Sequence, residues 1–372
     1  MSQSRGRRNF CKTVLLGSVP FLWPLDFAAF QHEAIASKYT RPGPSSTLPK
    51  RTTDLSQWIT PAGHFFVRDH LEAPLISGSD WRLVIEGQVE RRLDLTYQDL
   101  LRLPQLHKMV TFECAGNLPG GGMVGNAEWT GISLAALLKK SGIKPGAMEV
   151  ILEGGDYGLD EGEYIPTSYN RSIPIEKALA PETLLAFAMN GKPLDVAHGF
   201  PLRAIIPGWY GMTNVKWLRR IKVTDRPYTG FYMLRRYVTG KRDSITGEIV
   251  VSPVREMGVK SEIFRPRSEE VLKCQPFTIK GAAWGGRGRV EKVEVSVDGG
   301  NTWRQAVLDK EQVPYTWVFW NYLWQAPSAG KQTIAVRAFD SQGQTQPDTE
   351  DHEQIHRYVN RWIQRVEVTV SG

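Results

Sequence analysis

Cys114 closes an apolar run, Val110-Thr111-Phe112-Glu113, and Ala115-Gly116-Asn117 turns the chain directly after it. A strand ending at such a turn would hold one thiol at the mouth of a cleft. Only Cys11 and Cys274 accompany it in 372 residues, which excludes a multi-cysteine metal site. Three uses stay open for this thiol: nucleophile, ligand to a soft metal centre, or small buried hydrophobe.

Four further clusters set cations or polar rings beside apolar or turn residues. They are His64-Phe65-Phe66-Val67-Arg68-Asp69-His70, His198-Gly199-Phe200-Pro201-Leu202-Arg203, Asn214-Val215-Lys216-Trp217 and Arg235-Arg236-Tyr237. Each taken alone fits a functional site or an ordinary charged surface. His352 and His356 have the i,i+4 spacing of a metal pair but no evident acidic or cysteine partner. There is no phosphate-binding Gly-x-x-x-x-Gly-Lys-Ser/Thr loop, no Gly-x-Ser-x-Gly elbow and no His-Glu-x-x-His pair. Gly120-Gly121-Gly122 follows no dinucleotide pattern and reads as a flexible loop beside Cys114.

The pattern along the chain predicts the elements that carry these residues. A strand is expected at 81–87, and a short helix over 97–103 that Pro104 stops. A second helix is expected over 133–140, capped by Ser133 and closed by Gly142. Residues 201–206 read as a buried strand feeding Pro207-Gly208. Beyond about residue 251 the character changes to short strands at 277–284, 290–297, 316–324, 332–339 and 365–370. Asp298-Gly299-Gly300 forms a hairpin turn among them. The fold class is therefore α+β: a mixed α/β domain over 58–250, then an immunoglobulin-like β-sandwich over 251–372.

Together with Phe112-Glu113-Cys114-Ala115-Gly116-Asn117, the four clusters resemble, in order and spacing, the sulfite oxidase family of molybdenum-cofactor enzymes. The sandwich, with Asp298-Gly299-Gly300-Asn301-Thr302-Trp303 and Gln346-Pro347-Asp348-Thr349, looks like that family's dimerisation domain. The resemblance implies a molybdenum–molybdopterin cofactor, with Cys114 as the protein's thiolate ligand to the metal. It also implies a cofactor pocket of Phe66, Val67, Arg68, Asp69, His70, Asp156, His198, Arg203, Asn214, Val215 and Lys216. Tyr237 matches the family tyrosine aimed at the metal's exchangeable oxo group, and Arg68 matches an arginine at the same mouth. Arg357 is the counterpart of an arginine contributed by the second domain.

Two departures stand out. Where animal and plant sulfite oxidases carry an arginine after the asparagine, this chain has Leu118-Pro119-Gly120-Gly121-Gly122. Arg236 stands where those enzymes place an acid before the tyrosine, and is read as restoring the missing positive charge. The sequence contains no Cys-x-x-Cys-His, so no haem is expected in it, and electrons would leave to an external carrier such as a periplasmic c-type cytochrome. The leading expectation is oxidation of a small oxyanion, sulfite, to sulfate. The runner-up is reduction of an S-oxide, N-oxide or oxyanion at the same centre, and a third reading is a scaffold without turnover.

The remaining features bound the setting. Arg7-Arg8-Asn9-Phe10-Cys11-Lys12 precedes an apolar stretch too short to span a bilayer, with Ala34-Ile35-Ala36 at cleavage spacing. Residues 1–36 thus resemble a twin-arginine signal for periplasmic export in the folded state, with no stable membrane span. Residues 37–57, rich in Pro, Ser, Thr and Lys, read as an extended connector. A net charge of +7, without clustering, suits an anion site better than nucleic acid. The sandwich favours a homodimer.

Overall fold

Alternation over its last four residues builds the strand that leads to Cys114. In the computed structural model, which describes residues 54–160, 165–243, 245–286, 288–325, 327–352 and 358–372, this strand is Gln105–Glu113. Val110 and Phe112 enter the main core on one face. Thr111 and Glu113 face the opposite way and are bonded by the second domain. The leader, residues 37–53 of the connector, His356 and Arg357 lie outside the described residues.

Gln105–Glu113 pairs antiparallel with Val124–Ser133, which pairs with Leu184–Met189; Lys192–Pro193 and Arg203–Ile205 extend this sheet. A second sheet runs in the order Leu93–Thr96, Arg82–Gly87, Leu218–Thr224, Glu149–Leu159, Pro166–Pro174. Its one parallel pair joins Arg82–Gly87 to Leu218–Thr224. The helix Leu134–Ser141 starts where the Ser133 hydroxyl accepts from the Ala136 amide and stops at Gly142, whose φ is 71°. It turns Leu134, Leu137 and Leu138 into the core. Tyr97–Leu101 is helical behind a reciprocal Thr96–Asp99 capping box, and ends two residues before the predicted stop.

The second domain is a sandwich of two sheets. One runs Lys260–Arg265, Phe277–Trp284, Val318–Trp324, Val307–Leu308; the other runs Val271–Lys273, Gln364–Ser371, Gly330–Asp340, Val290–Ser296, Arg304–Gln305. The predicted strands are present within a few residues. Lys260–Arg265 was not predicted, because it opens Lys-Ser-Glu and buried polar residues give no apolar period.

A third core joins the domains: Ala115, Val124, Tyr210, Met212, Tyr232 and Tyr237 pack with Met257, Ala282, Trp284 and Trp317. Leu55 enters it too, so the end of the connector is a docked turn and not extended chain. Backbones meet at Gly208, where a Cβ would stand 2.4 Å from the Gly286 carbonyl oxygen; its φ of 81° also favours glycine. The hairpin Val238–Arg242 with Ile249–Pro253 crosses the predicted boundary at residue 250.

Candidate active site

Cys114 opens the loop between Gln105–Glu113 and Val124–Ser133. Its amide donates to the Met123 carbonyl at 2.9 Å, and the Asn117 amide donates back to the Cys114 carbonyl at 2.9 Å. The Asn117 side chain ties both ends, donating to Glu113 Oε1 and accepting from the Met123 amide. The thiol faces a cleft lined also by Phe66 to His70, Asp156, His198, Arg203, Asn214, Val215, Lys216 and Tyr237. Burial pushes the thiol above its ordinary pKa.

The back wall is cationic. Arg203 is buried, lies over the Phe112 and Trp129 rings at 5.3 and 4.9 Å, and donates to the His198 and Asn214 carbonyls. Burial lowers its pKa to about 9, which leaves it charged at neutral pH. Lys216 bonds Asp69 and the Ala197 carbonyl, with its ammonium 4.5 Å from the Trp217 ring centroid. Gly199 lets these two cations converge: at φ 104°, a Cβ there would meet Lys216 and Arg203 carbons at 3.1–3.2 Å. His198 shares a 2.7 Å contact with Asp195 through Nδ1. The carboxylate orients the ring and directs Nε2 toward the cleft.

At the mouth, Tyr237 sits in the left-handed region at φ 48° and burial drives its hydroxyl well above the usual range. His70 Nε2 lies 2.6 Å from that hydroxyl, while its Nδ1 is 3.8 Å from buried Asp160. Burial, reinforced by Arg68, lowers the His70 pKa to about 3, so the ring is neutral. The tyrosine hydroxyl and the imidazole are thus joined by one hydrogen bond inside the cleft.

Three buried polar atoms at the cleft have no protein partner: Asp156 Oδ1, His198 Nε2 and Arg203 Nε. A buried polar atom is retained at a cost unless something bonds it. The set contains acceptors and a cationic donor, as a polar, anionic guest requires.

Family models for an oxidoreductase molybdopterin binding domain and a Mo-co oxidoreductase dimerisation domain match residues 70–232 and 251–371. The chain is 34% identical over 348 residues to mitochondrial sulfite oxidase of Macaca fascicularis, covering 86% of this chain and 62% of that one. It is 32% identical to sulfite oxidase of Gallus gallus, covering 82% and 72%. The chain belongs to the sulfite oxidase family. The solved sulfane dehydrogenase SoxCD from Paracoccus pantotrophus matches 97% of this chain and 93% of its own, at 29% identity and a TM-score of 0.74. Less than two thirds of the Macaca enzyme's length is spanned.

The family's molybdenum–molybdopterin group fits the residues present. Arg203 and Lys216 suit its phosphate, Asp156 and His198 its polar pterin, and Cys114 its soft metal. Asn214 lines the cleft as expected, and its side-chain amide also accepts from the Ile206 amide and donates to the Tyr210 carbonyl, bracing the Pro207-Gly208 turn. Arg236 is not a cleft residue; it pairs with the buried carboxylate of Asp160, so its charge is engaged behind the His70 and Tyr237 pair. Tyr169, Phe112, Met212 and Trp217 line the cleft although the sequence assigns them no role there. As ordinary alternating or loop apolar residues they carry no local signal of a site. Among the described residues, no cluster of three His, Cys, Asp or Glu could hold another metal, and no helix is long and apolar enough to cross a membrane.

Asp156 gives a test of this pocket in cofactor-free protein. Burial raises its pKa from 3.8 to about 7. Between those values the folded chain keeps a proton that the unfolded chain has released. The carboxyl therefore favours folding at acid pH, and that contribution is lost as pH rises through 7. The unfolding free energy of the wild type minus that of Asp156→Asn should fall by a few kcal/mol, in order of magnitude, from about pH 4 to about pH 7 and then level off. Urea melts across that range measure it; a flat difference shows that the buried carboxyl does not titrate there.

Proposed function

We propose that this protein is an exported molybdenum oxidoreductase that oxidises sulfite to sulfate and passes two electrons to an external carrier. The observation that carries the reading is the meeting of Cys114, Arg68 and Tyr237 around one cationic cleft. When bound, the cofactor supplies two-electron oxygen-atom transfer. The chain's own residues position and charge the site. Cys114 offers the soft ligand, Arg203 and Lys216 anchor the anionic cofactor, and Arg68 holds the substrate oxyanion. Tyr237 shares its hydroxyl proton with His70 beside the thiol, so the pair would hold or relay a proton at the reacting position. Water supplies the oxygen, and two protons and two electrons leave for each sulfite consumed.

The uncharged loop Leu118–Gly122 and the nearly full-length match to SoxCD favour a second reading, with a sulfane sulfur as the oxidised group. Reduction of an artificial one-electron acceptor by cofactor-replete protein separates the two. Sulfite-dependent turnover supports the first reading. Turnover with thiosulfate or a persulfide, but not sulfite, supports the second. Oxidation of a reduced dye by S-oxides or nitrate alone reverses the direction of both. Tyr237→Phe should slow turnover about tenfold with molybdenum content unchanged, as a lost hydrogen bond in the transition state does. An unaltered rate removes the hydroxyl from the mechanism.

The Arg7-Arg8 leader supports export of the folded holoprotein to the periplasm, where a c-type cytochrome is a suitable acceptor. The dimerisation domain supports a homodimer. Fractionation of the native host and sedimentation of the purified protein test these points.

A further inference from the structure

From the side facing away from the cleft, the second domain grips the loop that presents Cys114, and we infer that this grip sets the position of the thiol. The inference rests on reading Cys114 as the ligand-bearing residue. Lys260 Nζ lies 2.7 Å from Glu113 Oε1 and 3.2 Å from the Asn117 carbonyl oxygen. Trp284 Nε1 donates to Glu113 Oε2 at 2.9 Å, and the Val359 amide donates to the Ala115 carbonyl at 2.8 Å. Glu113, Ala115 and Asn117, alternate residues through the thiol's turn, are thus each held by the sandwich. The charged part of this grip is dry: Lys260 is 0% exposed, and Glu113, Asn117 and Glu262 are 1% exposed.

Lys260 also lies 3.2 Å from Glu262, so one buried ammonium stands between two buried carboxyl groups, with Glu113 the nearer at 2.7 Å. A buried ion that loses its partner is strongly penalised. Without Lys260, Glu113 must withdraw toward solvent, and it is covalently joined to Cys114. Lys260 and Trp284 are therefore positioning residues, and the second domain is part of the active-site architecture as well as a dimerisation module.

The test uses thiol chemistry in the full-length, metal-free chain, with iodoacetamide as probe and peptide mass spectrometry to separate Cys114 from the other cysteines. Lys260→Met should speed alkylation of Cys114 about tenfold or more, because the loop opens. A slower or unchanged rate in Lys260→Met overturns the inference. Glu113→Gln/Lys260→Met, which removes both charges, should return the rate toward wild type. Should Lys260→Met fail to fold, Trp284→Phe decides: removal of one donor should give a rise of about threefold, and no change overturns the inference. An equal rise in Ile334→Ala, which loosens the sandwich core away from the loop, also overturns it. Because no step requires molybdenum, failure of the metal reading would show separately, as protein that contains no molybdenum when purified from molybdenum-replete cells.

Discussion

Cys114→Ser is expected to give a folded protein whose turnover falls at least about a thousandfold, some 4 kcal/mol of barrier. The substitution changes one atom at the mouth of the cleft and leaves the loop's bonds to Met123, Asn117 and Glu113 intact. On the proposed function, what changes is the metal's protein ligand. A serine hydroxyl stays protonated at neutral pH and offers a hard oxygen where a soft sulfur suits the metal. Arg203, Lys216 and Asp156 remain to hold the pterin and phosphate, so molybdopterin content should fall much less than activity. Dye reduction, metal analysis and thermal melting on the same preparation separate these effects. Activity within tenfold of wild type would remove the thiolate from the mechanism and return Cys114 to the nucleophilic or packing uses left open by its sequence.

Much of this site is legible in the sequence because its residues sit in short runs. Arg68 to His70, His198 to Arg203 and Asn214 to Lys216 are each local, and strand–turn punctuation alone puts Cys114 at the mouth of a cleft. What stays hidden is built by contacts distant in sequence. Glu113 meets Lys260 across 147 residues, and Trp284 across 171. A strand beginning Lys-Ser-Glu reads as surface, yet it is buried with its Lys260 paired to Glu113 of the other domain. Asp160 behind His70 is hidden likewise, and its pairing with Arg236 gives that arginine a role that neighbouring sequence could not supply. Periodicity reports which face is apolar; it is silent where a buried face is polar and paired.

Arg68→Gln should raise the KM for an anionic substrate about 10- to 100-fold, the loss of a charge-assisted contact of roughly 1.5–3 kcal/mol. The geometry singles out this cation. Arg203 is fixed on two carbonyls and Lys216 on Asp69, both at the back wall. Arg68 is partly exposed, lines the same cleft, and bonds the Asp69 carbonyl. Its charge acts at both reacting positions, lowering the pKa of the Cys114 thiol and of the Tyr237 hydroxyl against the larger upward push of burial. Glutamine keeps the polarity and much of the length but neither the charge nor the fork that grips two oxygens at once. If Arg68 serves binding, saturating substrate restores most of the rate, and the wild-type advantage shrinks as salt screens it. A fall in kcat at unchanged KM would instead place the arginine's charge in the transition state. An unchanged saturation curve would leave the cleft's cations to the cofactor alone, and the case for an anionic substrate would lose its main support.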